Sequence, residues 1–317
     1  MAIHMTCLIS TIIPSVGRAT LSQAVQSVLD QQSTRAEFEI IVVNDSGQPL
    51  PKMTWMEAPN LQIINTNHRE RSVARNAGAA VAQGKYLHFL DDDDWLLPNA
   101  FDHFWKLIHQ SKAAMYYGGY RFVNSNGKTL QECYPDETGN CFIRFMSGEW
   151  QPLQASLFDT QIFHSIGGFS DLESLLGGDE DVDLTRRISL KYDIAGVQEL
   201  IAVIRIARNE STTNYSNLQE QSRKSREMIL SLPDVFERLR DSAGKRRNAS
   251  DYWHGRIAWI YLSSVIWNIQ KRNIFVACSR LGYFGYALVR SFKFWSSLKF
   301  WRGATRGHQP IGWLVSD

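Results

Sequence analysis

The sequence predicts an α/β domain built on a mixed, mostly parallel sheet flanked by helices, with a helical appendage at the C-terminal end. The first observation is the alternation of short apolar runs with amphipathic segments between Leu8 and Leu90. The second is a run of four aspartates, Asp91 to Asp94, directly after one apolar run. The third is a shift in composition near Asp251. We therefore expect one domain over residues 1–215 and a second region, helical, basic and rich in aromatic residues, over 216–317.

Apolar runs rich in β-branched residues and bounded by turn-forming residues predict four buried strands in the N-terminal part. These strands are Leu8–Ile13, Phe38–Val43, Leu61–Ile64 and Tyr86–Leu90. Helices are predicted between them, one from a 3.6-residue apolar period and one from small faces suited to close packing on a sheet. These helices are Leu21–Gln31 and Ser72–Gln83. Strands that alternate with helices favour parallel pairing.

The pattern changes after the aspartates. A hairpin is predicted around the turn Asn124–Gly127, and a helix with an acidic N-terminus follows further along the chain. The remaining predicted elements are strands at Ala114–Tyr120, Gly127–Cys133 and Ile194–Ile206, and helices at Thr160–Ile166, Asp179–Leu190, Tyr252–Ile269 and Ile274–Phe292. The polar stretch Arg208–Lys224 is interpreted as a flexible loop or domain boundary.

Composition and cysteine usage favour a cytoplasmic protein. The net charge is +2, with 44% hydrophobic and 21% charged residues, as in ordinary globular proteins. The cysteines form no CxxC pair and no disulfide framework, so a reducing compartment is expected. They are Cys7, Cys133, Cys141 and Cys278. The apolar run from Cys7 to Val16 lacks the preceding positive charge of a signal peptide, and we interpret it as a strand.

The C-terminal region is rich in tryptophan and in basic residues. Six of the ten tryptophans lie beyond Asp251, and residues 271–317 carry eight Lys or Arg against one acid, Asp317. Arg256 and Arg280 interrupt the two apolar helices, so a transmembrane helix is not expected. Two interpretations are open: peripheral binding at the inner face of a membrane, or a helical appendage that packs on the first domain or forms a homo-oligomer.

The four aspartates are candidates for a metal site. Adjacent carboxylates at the edge of a core repel one another, and a hard divalent cation such as Mg²⁺ or Mn²⁺ relieves that repulsion. The carboxyl end of a central strand is also where open α/β sheets bind ligands. The alternative is a solvated acidic turn that caps a helix beginning near Pro98.

Taken together, the motifs resemble those of the inverting family 2 glycosyltransferases of the GT-A fold, over roughly Thr6 to Ser211. The stretches that carry the resemblance, in family order, are Ile9–Pro14, Gln26–Gln31, Glu39–Ser46, Ala74–Gly78, Gly84–Pro98, Ile166–Phe169 and Glu180–Leu184. Each stretch is weak alone. Their shared order and spacing make the signal strong.

The resemblance implies a set of residues that bind a nucleotide-sugar donor: Pro14, Asp45, Arg75, Asp91 and Asp93. Asp45 is expected to accept a hydrogen bond from the base, or else to cap a turn. Arg75 is expected to contact phosphate or to brace Asp45, and its alternative is a salt bridge with the aspartates. The resemblance also implies that Asp93 and Asp94 bind the cation.

The acceptor side and the base are implied in the same way. Family spacing makes Asp181 the base that removes a proton from the acceptor hydroxyl, with Glu180 beside it on the acceptor side. The alternative is a pair of ordinary N-terminal helix charges. Gly168 and Phe169 resemble the acceptor wall, while Trp150 is expected either to stack on a sugar or to fill the core.

Two departures from the family pattern matter. The stretch Pro14–Arg18 lacks the aromatic residue that many relatives use to pack on the base, which leaves the nucleotide open although a UDP-sugar is expected. The stretch Arg205–Arg208 lacks the histidine that many relatives place near the metal. We expect Arg205 or Arg208 to replace its charge at the diphosphate, and the alternative is two surface arginines.

The leading hypothesis is a metal-dependent, inverting glycosyltransferase that acts on a saccharide or lipid-linked acceptor in cell-surface polysaccharide synthesis. The alternative is a catalytically inactive scaffold or sensor that binds a nucleotide sugar. Nucleotidyl transfer is disfavoured because Ser15–Arg18 is a poor phosphate loop without a lysine. No nucleic-acid partner is expected.

Overall fold

The computed structural model describes residues 9–31, 37–67, 70–135, 137–170, 179–206, 215–245 and 250–291. The chain divides into two compact units. The first comprises Met1–Gly139 and Gln151–Ser222, and the second Asn140–Trp150 and Arg223–Asp317. The short segment 140–150 therefore groups with the C-terminal helices, which the sequence did not indicate. We expected a domain boundary after residue 215, and the two units divide seven residues later, after Ser222. The assignment of these units as separate domains stays a prediction.

The described residues form a nine-stranded mixed sheet in the order β3-β2-β1-β4-β8-β6-β9-β5, with β7 paired to β6. The strands are β1 (Ile9–Ser15), β2 (Phe38–Asn44), β3 (Leu61–Asn65), β4 (Tyr86–Phe89), β5 (Trp95–Leu96), β6 (Met115–Asn124), β7 (Thr129–Cys133), β8 (Ser156–Asp159) and β9 (Ile194–Ile206). Pairing is parallel from β3 to β4 and between β6 and β9, and antiparallel elsewhere. The expected mixed, mostly parallel sheet is confirmed.

The parallel part of the sheet is apolar because helices cover it. Ile12, Ile41 and Leu87 are fully buried in β1, β2 and β4. The chain passes from β1 to β2 on one side and returns to β4 on the other, so the order reverses at β1. The carboxyl ends of β1, β2 and β4 therefore meet at one edge beside this reversal, where α/β sheets bind ligands.

The helices are α1 (Leu21–Leu29), α2 (Arg71–Val81), α3 (Ala100–Gln110), α4 (Phe142–Met146), α5 (Thr160–Ser165), α6 (Glu180–Lys191), α7 (Tyr215–Leu230), α8 (Val235–Gly244), α9 (Ser250–Gln270) and α10 (Ile274–Arg290). The predicted helices are confirmed to within a few residues. Of the two interpretations of the stretch 208–224, the flexible loop is wrong for the second half, which begins α7. The division between the two units falls inside the stretch, after Ser222. Good helix formers there outweigh the low apolar content, and the helix buries Ser225, Ile229 and Leu230 at its end.

Helix α2 rests very closely on the sheet. A Cβ atom on Gly78 would lie 2.5 Å from Ile12 Cγ2 and 3.0 Å from Val43 Cγ2. A glycine is therefore needed where the helix crosses β1 and β2. The helix is capped by the side chain of Glu70, which accepts a hydrogen bond from Val73 N at 2.8 Å. This close seating fixes the height of the polar face of α2 above the strand ends.

The second unit is a helical assembly with an aromatic centre. The Phe236 ring lies 4.6 Å from that of Tyr283 and 5.2 Å from that of Tyr286, and Tyr261 is 1% exposed. Arg256 and Arg280 are both 8% exposed, so these two guanidinium groups are buried inside the unit and contribute little charge to its surface. No helix among the described residues is both long and apolar enough to cross a membrane.

Candidate active site

The aspartate run begins where β4 leaves the sheet. Leu90 N still donates to Ile12 O at 3.0 Å, and the next residue is Asp91. The backbone then turns, with Asp94 N donating to Asp91 O at 3.1 Å. Carboxylate oxygens of Asp91, Asp93 and Asp94 lie within 4.8 Å of one another. We call these three residues the acidic cluster.

Amide groups hold two members of the acidic cluster in place. The Gln154 side chain donates from Nε2 to Asp91 at 2.9 Å and to Asp94 at 2.8 Å. Asp94 also accepts a hydrogen bond from the backbone N of Arg205 at 2.7 Å. These partners lie far away in the sequence, and no local pattern identifies Gln154. Hydrogen bonds from two distant segments thus hold the carboxylates of the cluster in a defined arrangement.

Arg18 is a further residue that sequence reasoning did not assign to the site. Its Nη1 lies 2.8 Å from Asp92 Oδ1 and 3.3 Å from Asp93 Oδ2. Ser15 Oγ donates to the second oxygen of Asp92 at 2.6 Å. The loop after β1 lacks the aromatic residue of many relatives. It supplies instead the positively charged guanidinium of Arg18 to the aspartate run.

The pKa values of the three carboxyl groups in the acidic cluster shift in different directions. Burial and the charge of Asp91 raise the pKa of Asp93 to about 6. Burial, followed by repulsion from Asp93 and Asp91, raises the pKa of Asp94 well above its usual range. Burial also opposes ionisation of Asp91, but the adjacent guanidinium of Arg75 holds its pKa below the usual value. Oxygen-only ligands with unrelieved negative charge suit a hard divalent cation.

Asp45 lies at the carboxyl end of β2, close to Pro14, which pairs with Val43 in the parallel ladder. Both of its carboxylate oxygens are engaged: Oδ1 accepts from Thr66 Oγ1 at 2.8 Å, and Oδ2 accepts from Glu70 N at 2.7 Å. These bonds tie the loop that leads into α2 to the strand end. The expected contact of Asp45 with a base stays a prediction.

Arg75 joins the acidic cluster to the start of α6. Its Nη2 lies 2.6 Å from Asp91 Oδ1, and its Nη1 lies 2.9 Å from Glu180 Oε1. Arg71 Nε reaches the same oxygen of Glu180 at 2.7 Å. The structure thus forms the salt bridge that was one alternative for Arg75. Glu180 is buried, and this ion-pair network holds it in place.

The proposed base follows at once in α6. Asp181 is partly exposed, and its Oδ1 accepts a hydrogen bond from Val182 N at 2.8 Å. Its charge contributes to raising the pKa of Arg75, after larger contributions from Asp91 and Glu180 that together outweigh burial. Asp181 therefore lies within electrostatic range of Arg75. Asp183 differs, since it is buried and paired with Arg187 Nε at 2.7 Å.

The expected acceptor wall is held by α2 and α6. Asn76 donates from Nδ2 to Phe169 O at 2.9 Å and accepts from Phe169 N at 3.0 Å. Gly168 has a φ of 65°, and its carbonyl accepts from Arg187 Nη2 at 2.7 Å. Phe169 is 1% exposed, and its ring centroid lies 5.4 Å from Arg75 Cζ. The guanidinium of Arg75 therefore packs over the face of this ring. Trp150 is half-buried and belongs to the second unit.

The side chain of Arg205 is directed to α1 and β5. Its Nη2 donates to Gln23 Oε1 at 2.8 Å, and its Cζ lies 5.3 Å from the Trp95 ring centroid. Arg205 contacts the acidic cluster through its backbone N–H, which donates the hydrogen bond to Asp94 described above. Its expected diphosphate contact stays a prediction. Arg208 lies outside the described residues.

The sequence model of Glycosyl transferase family 2 matches residues 10–170, which is more than half of the chain. The chain belongs to this family. The matched segment contains the acidic cluster, Asp45, Arg75 and the Gly168–Phe169 turn, while α6 with Asp181 lies beyond it. The expectation drawn from the motifs is therefore confirmed for the family.

Curated relatives agree with the family assignment. An uncharacterized glycosyltransferase of Rickettsia bellii is 33% identical over 135 residues, covering 41% of this chain and 19% of that protein. The Escherichia coli UDP-Glc:alpha-D-GlcNAc-diphosphoundecaprenol beta-1,3-glucosyltransferase WfgD is 29% identical over 123 residues, covering 38% of this chain and 48% of that protein. The matches thus span less than half of the length of these two relatives.

Solved structures with the same fold include TarS of S. aureus. The crystal structure of TarS 1–349 covers 93% of this chain, and the chain covers 78% of it, with a TM-score of 0.55 and 15% identity. A structure of the same protein in complex with UDP-GlcNAc has a TM-score of 0.52. At this identity the likeness supports the GT-A fold of a family 2 glycosyltransferase, and nothing finer.

Proposed function

We propose that this glycosyltransferase uses a divalent cation to transfer a sugar from a UDP-sugar to a saccharide or lipid-linked acceptor, with inversion at the anomeric carbon. The observation that carries the proposal is the acidic cluster at the edge where β1, β2 and β4 end, braced by Arg75. The name of WfgD gives UDP-glucose as donor and a diphosphoundecaprenol-linked acceptor, and TarS was crystallised with UDP-GlcNAc. Cell-surface polysaccharide synthesis is the process that such chemistry serves.

The chain's own residues divide the work of donor binding. Asp93 and Asp94 are the proposed ligands of Mg²⁺ or Mn²⁺, and Asp91 is held beside them by Arg75 and Gln154. When bound, the cation supplies positive charge that stabilises the diphosphate leaving group. Asp45, at the end of the neighbouring β2, is the proposed acceptor of a hydrogen bond from the base.

Asp181 is the proposed general base. The bond from the anomeric carbon to the diphosphate oxygen breaks as the acceptor oxygen forms the new glycosidic bond, and the acceptor proton passes to the Asp181 carboxylate. A single displacement of this kind inverts the anomeric centre. Arg75 and the positive end of the α6 dipole both favour an ionised carboxylate at this position.

Asp181→Asn tests the assignment directly. Because the base acts in the transition state, turnover should fall by about 10²-fold or more while UDP-sugar affinity changes little. Asp102→Asn is the matched control, since Asp102 also lies in the first turn of a helix. Turnover and affinity would be measured with UDP-sugars in the presence of Mn²⁺, and the product anomer by NMR.

Two outcomes would contradict the mechanism: near-normal turnover in Asp181→Asn, or a product that retains the donor's anomeric configuration. Binding of UDP-sugars by the unmodified protein, with neither transfer nor donor hydrolysis, would instead favour the inactive scaffold.

A further inference from the structure

Exposed large apolar side chains cluster at the tip of the hairpin formed by α9 and α10. Ile266, Ile269 and Ile274 are 48%, 53% and 55% exposed, and Phe275 is 88% exposed. A single exposed apolar residue is normal on a protein surface. Two of these four side chains precede one short turn and two follow it, and exposed apolar groups of this kind mark interaction sites. We call these four residues, together with Lys271 and Arg272, the hairpin tip.

The backbone of the hairpin tip is well defined. Arg272 has a φ of 62°, the left-handed conformation that ends helices. Its N–H donates to Ile269 O at 3.0 Å, and Asn273 N donates to Asn268 O at 2.7 Å. The ammonium of Lys271 lies 4.7 Å from the ring centroid of Trp267. The two cations are thus held beside the apolar side chains by the same turn.

The charge of this surface is unbalanced. From Tyr252 to Ser291 the chain contains no acidic residue, and Lys271 and Arg272 are both exposed. The carboxylate of Glu227, which reaches α9 from α7, accepts hydrogen bonds from Ser264 and Asn268. The hairpin tip therefore presents positive charge around an apolar centre, which complements a surface that is anionic outside and apolar beneath.

We propose that the hairpin tip docks on an anionic lipid bilayer, with the isoleucines and Phe275 at the boundary of headgroups and acyl chains. Lys271 and Arg272 then contact lipid phosphates. This assignment does not depend on Trp253. Trp253 is 9% exposed and lies inside the second unit. The proposal is independent of the donor site, which lies in the first unit.

The test uses the full chain and two paired variants. Ile274→Ser with Phe275→Ser removes apolar contact, and Lys271→Glu with Arg272→Glu reverses the charge. Each pair should weaken binding to vesicles of phosphatidylglycerol and phosphatidylcholine by about tenfold or more. Co-sedimentation measures binding, and UDP binding should stay unchanged. The matched controls are Leu130→Ser and Lys128→Glu, which lie on or beside β7 and are exposed.

The unmodified protein should bind anionic vesicles, bind phosphatidylcholine alone much more weakly, and lose affinity as salt rises. Unchanged binding in both paired variants would overturn the proposal and assign attachment to another segment, such as residues 292–317. Equal binding to neutral vesicles, or none to either kind, would also overturn it. So would an oligomer, measured by light scattering, that the variants dissociate while vesicle binding is absent.

Discussion

The first unit contains two groups of carboxylates that are compensated in different ways. At the start of α6, each of three buried acids has an arginine within 3.1 Å: Asp179 with Arg186, Glu180 with Arg71 and Arg75, and Asp183 with Arg187. Here each buried acid has an arginine partner, although burial still raises the pKa of Asp179 to about 7. Such pairing fixes the helix in place and leaves little negative charge for a cation.

The aspartate run after β4 is less well compensated. Arg75 pairs with Asp91, and Arg18 lies between Asp92 and Asp93. The described partners of Asp94 are amide N–H groups, and the pKa of this residue is raised. An acidic motif in a sequence therefore has two physical meanings. Where arginines match the acids the motif is structural, and where they fall short it is suited to a cation.

The largest effect is expected from breaking the balance at α6. Arg186 is 0% exposed, and Arg186→Met leaves Asp179 buried without its cation. In the wild type, burial raises the pKa of Asp179 to about 7 although Arg186 lowers it, so the pair is ionised at about pH 8. The free energy of unfolding should fall by about 3–5 kcal/mol there, measured by urea denaturation. The loss should shrink below about pH 6, where Asp179 is neutral.

Adding Asp179→Asn to Arg186→Met is the matched test of that cause. The double variant should recover much of the stability, because no unpaired charge is left. A loss below about 1 kcal/mol in the single variant would show that the pair is not a balanced structural unit.

A smaller effect of opposite sign is expected in the acidic cluster. Burial and the charge of Asp91 raise the pKa of Asp93 to about 6, so the stability cost of ionising Asp93 grows from about pH 4 and is complete above about pH 6. Asp93→Asn in EDTA should therefore raise the free energy of unfolding at about pH 8 by about 1 kcal/mol, allowing for partial exposure. The gain should shrink as the pH falls below about 6 and vanish near about pH 4. Thermal unfolding at the two pH values measures it.

The same variant sharpens the comparison once a cation is added. At 100 times its dissociation constant Mn²⁺ should stabilise the wild type by about 2.7 kcal/mol, and Asp93→Asn far less. UDP binding by calorimetry should weaken strongly in this variant and in wild type with EDTA. Asp102→Asn is the control. Undiminished UDP binding in EDTA would refute a metal-dependent donor site.

The smallest effect is expected from Arg18, whose guanidinium should compete with an added divalent cation for the aspartate run. Arg18→Gln should tighten Mn²⁺ binding in the absence of nucleotide by about 3- to 10-fold, because a positive charge leaves the site. Stability should change by less than about 1 kcal/mol, since the side chain is 30% exposed. Arg18→Lys keeps the charge and is the control. Equal Mn²⁺ affinity in all three proteins would exclude the competition.

What the sequence predicted depended on distance along the chain. The strand Tyr86–Leu90 and the aspartates after it are adjacent in sequence, so periodicity and turn residues placed the acidic cluster at a strand end. Gln154, Arg18 and the backbone N–H of Arg205 reach the same carboxylates from far away. Such contacts are created by tertiary packing, and a local pattern does not contain them.

The same reason explains the errors elsewhere. A polar stretch became the helix α7, because helix propensity and burial of its last turn outweigh its missing apolar face. The segment 140–150 joins the second unit through contacts such as Asn140 Nδ2 to Asp241 Oδ2 at 3.1 Å. Nothing near residue 140 in the sequence indicates a partner a hundred residues later.

The glycine contact beneath α2 has a consequence for the energetics of binding. Arg71, Arg75 and Gly78 follow the i, i+4, i+7 spacing of one face of α2, so both arginines extend from the face on which Gly78 packs against β1 and β2. Packing of α2 on the sheet during folding therefore fixes the position of the helix that carries these guanidinium groups. The entropy of ordering these groups is lost once, when the chain folds, and not again when a ligand arrives. In this protein a contact with no polar atom in it preorganises the charges.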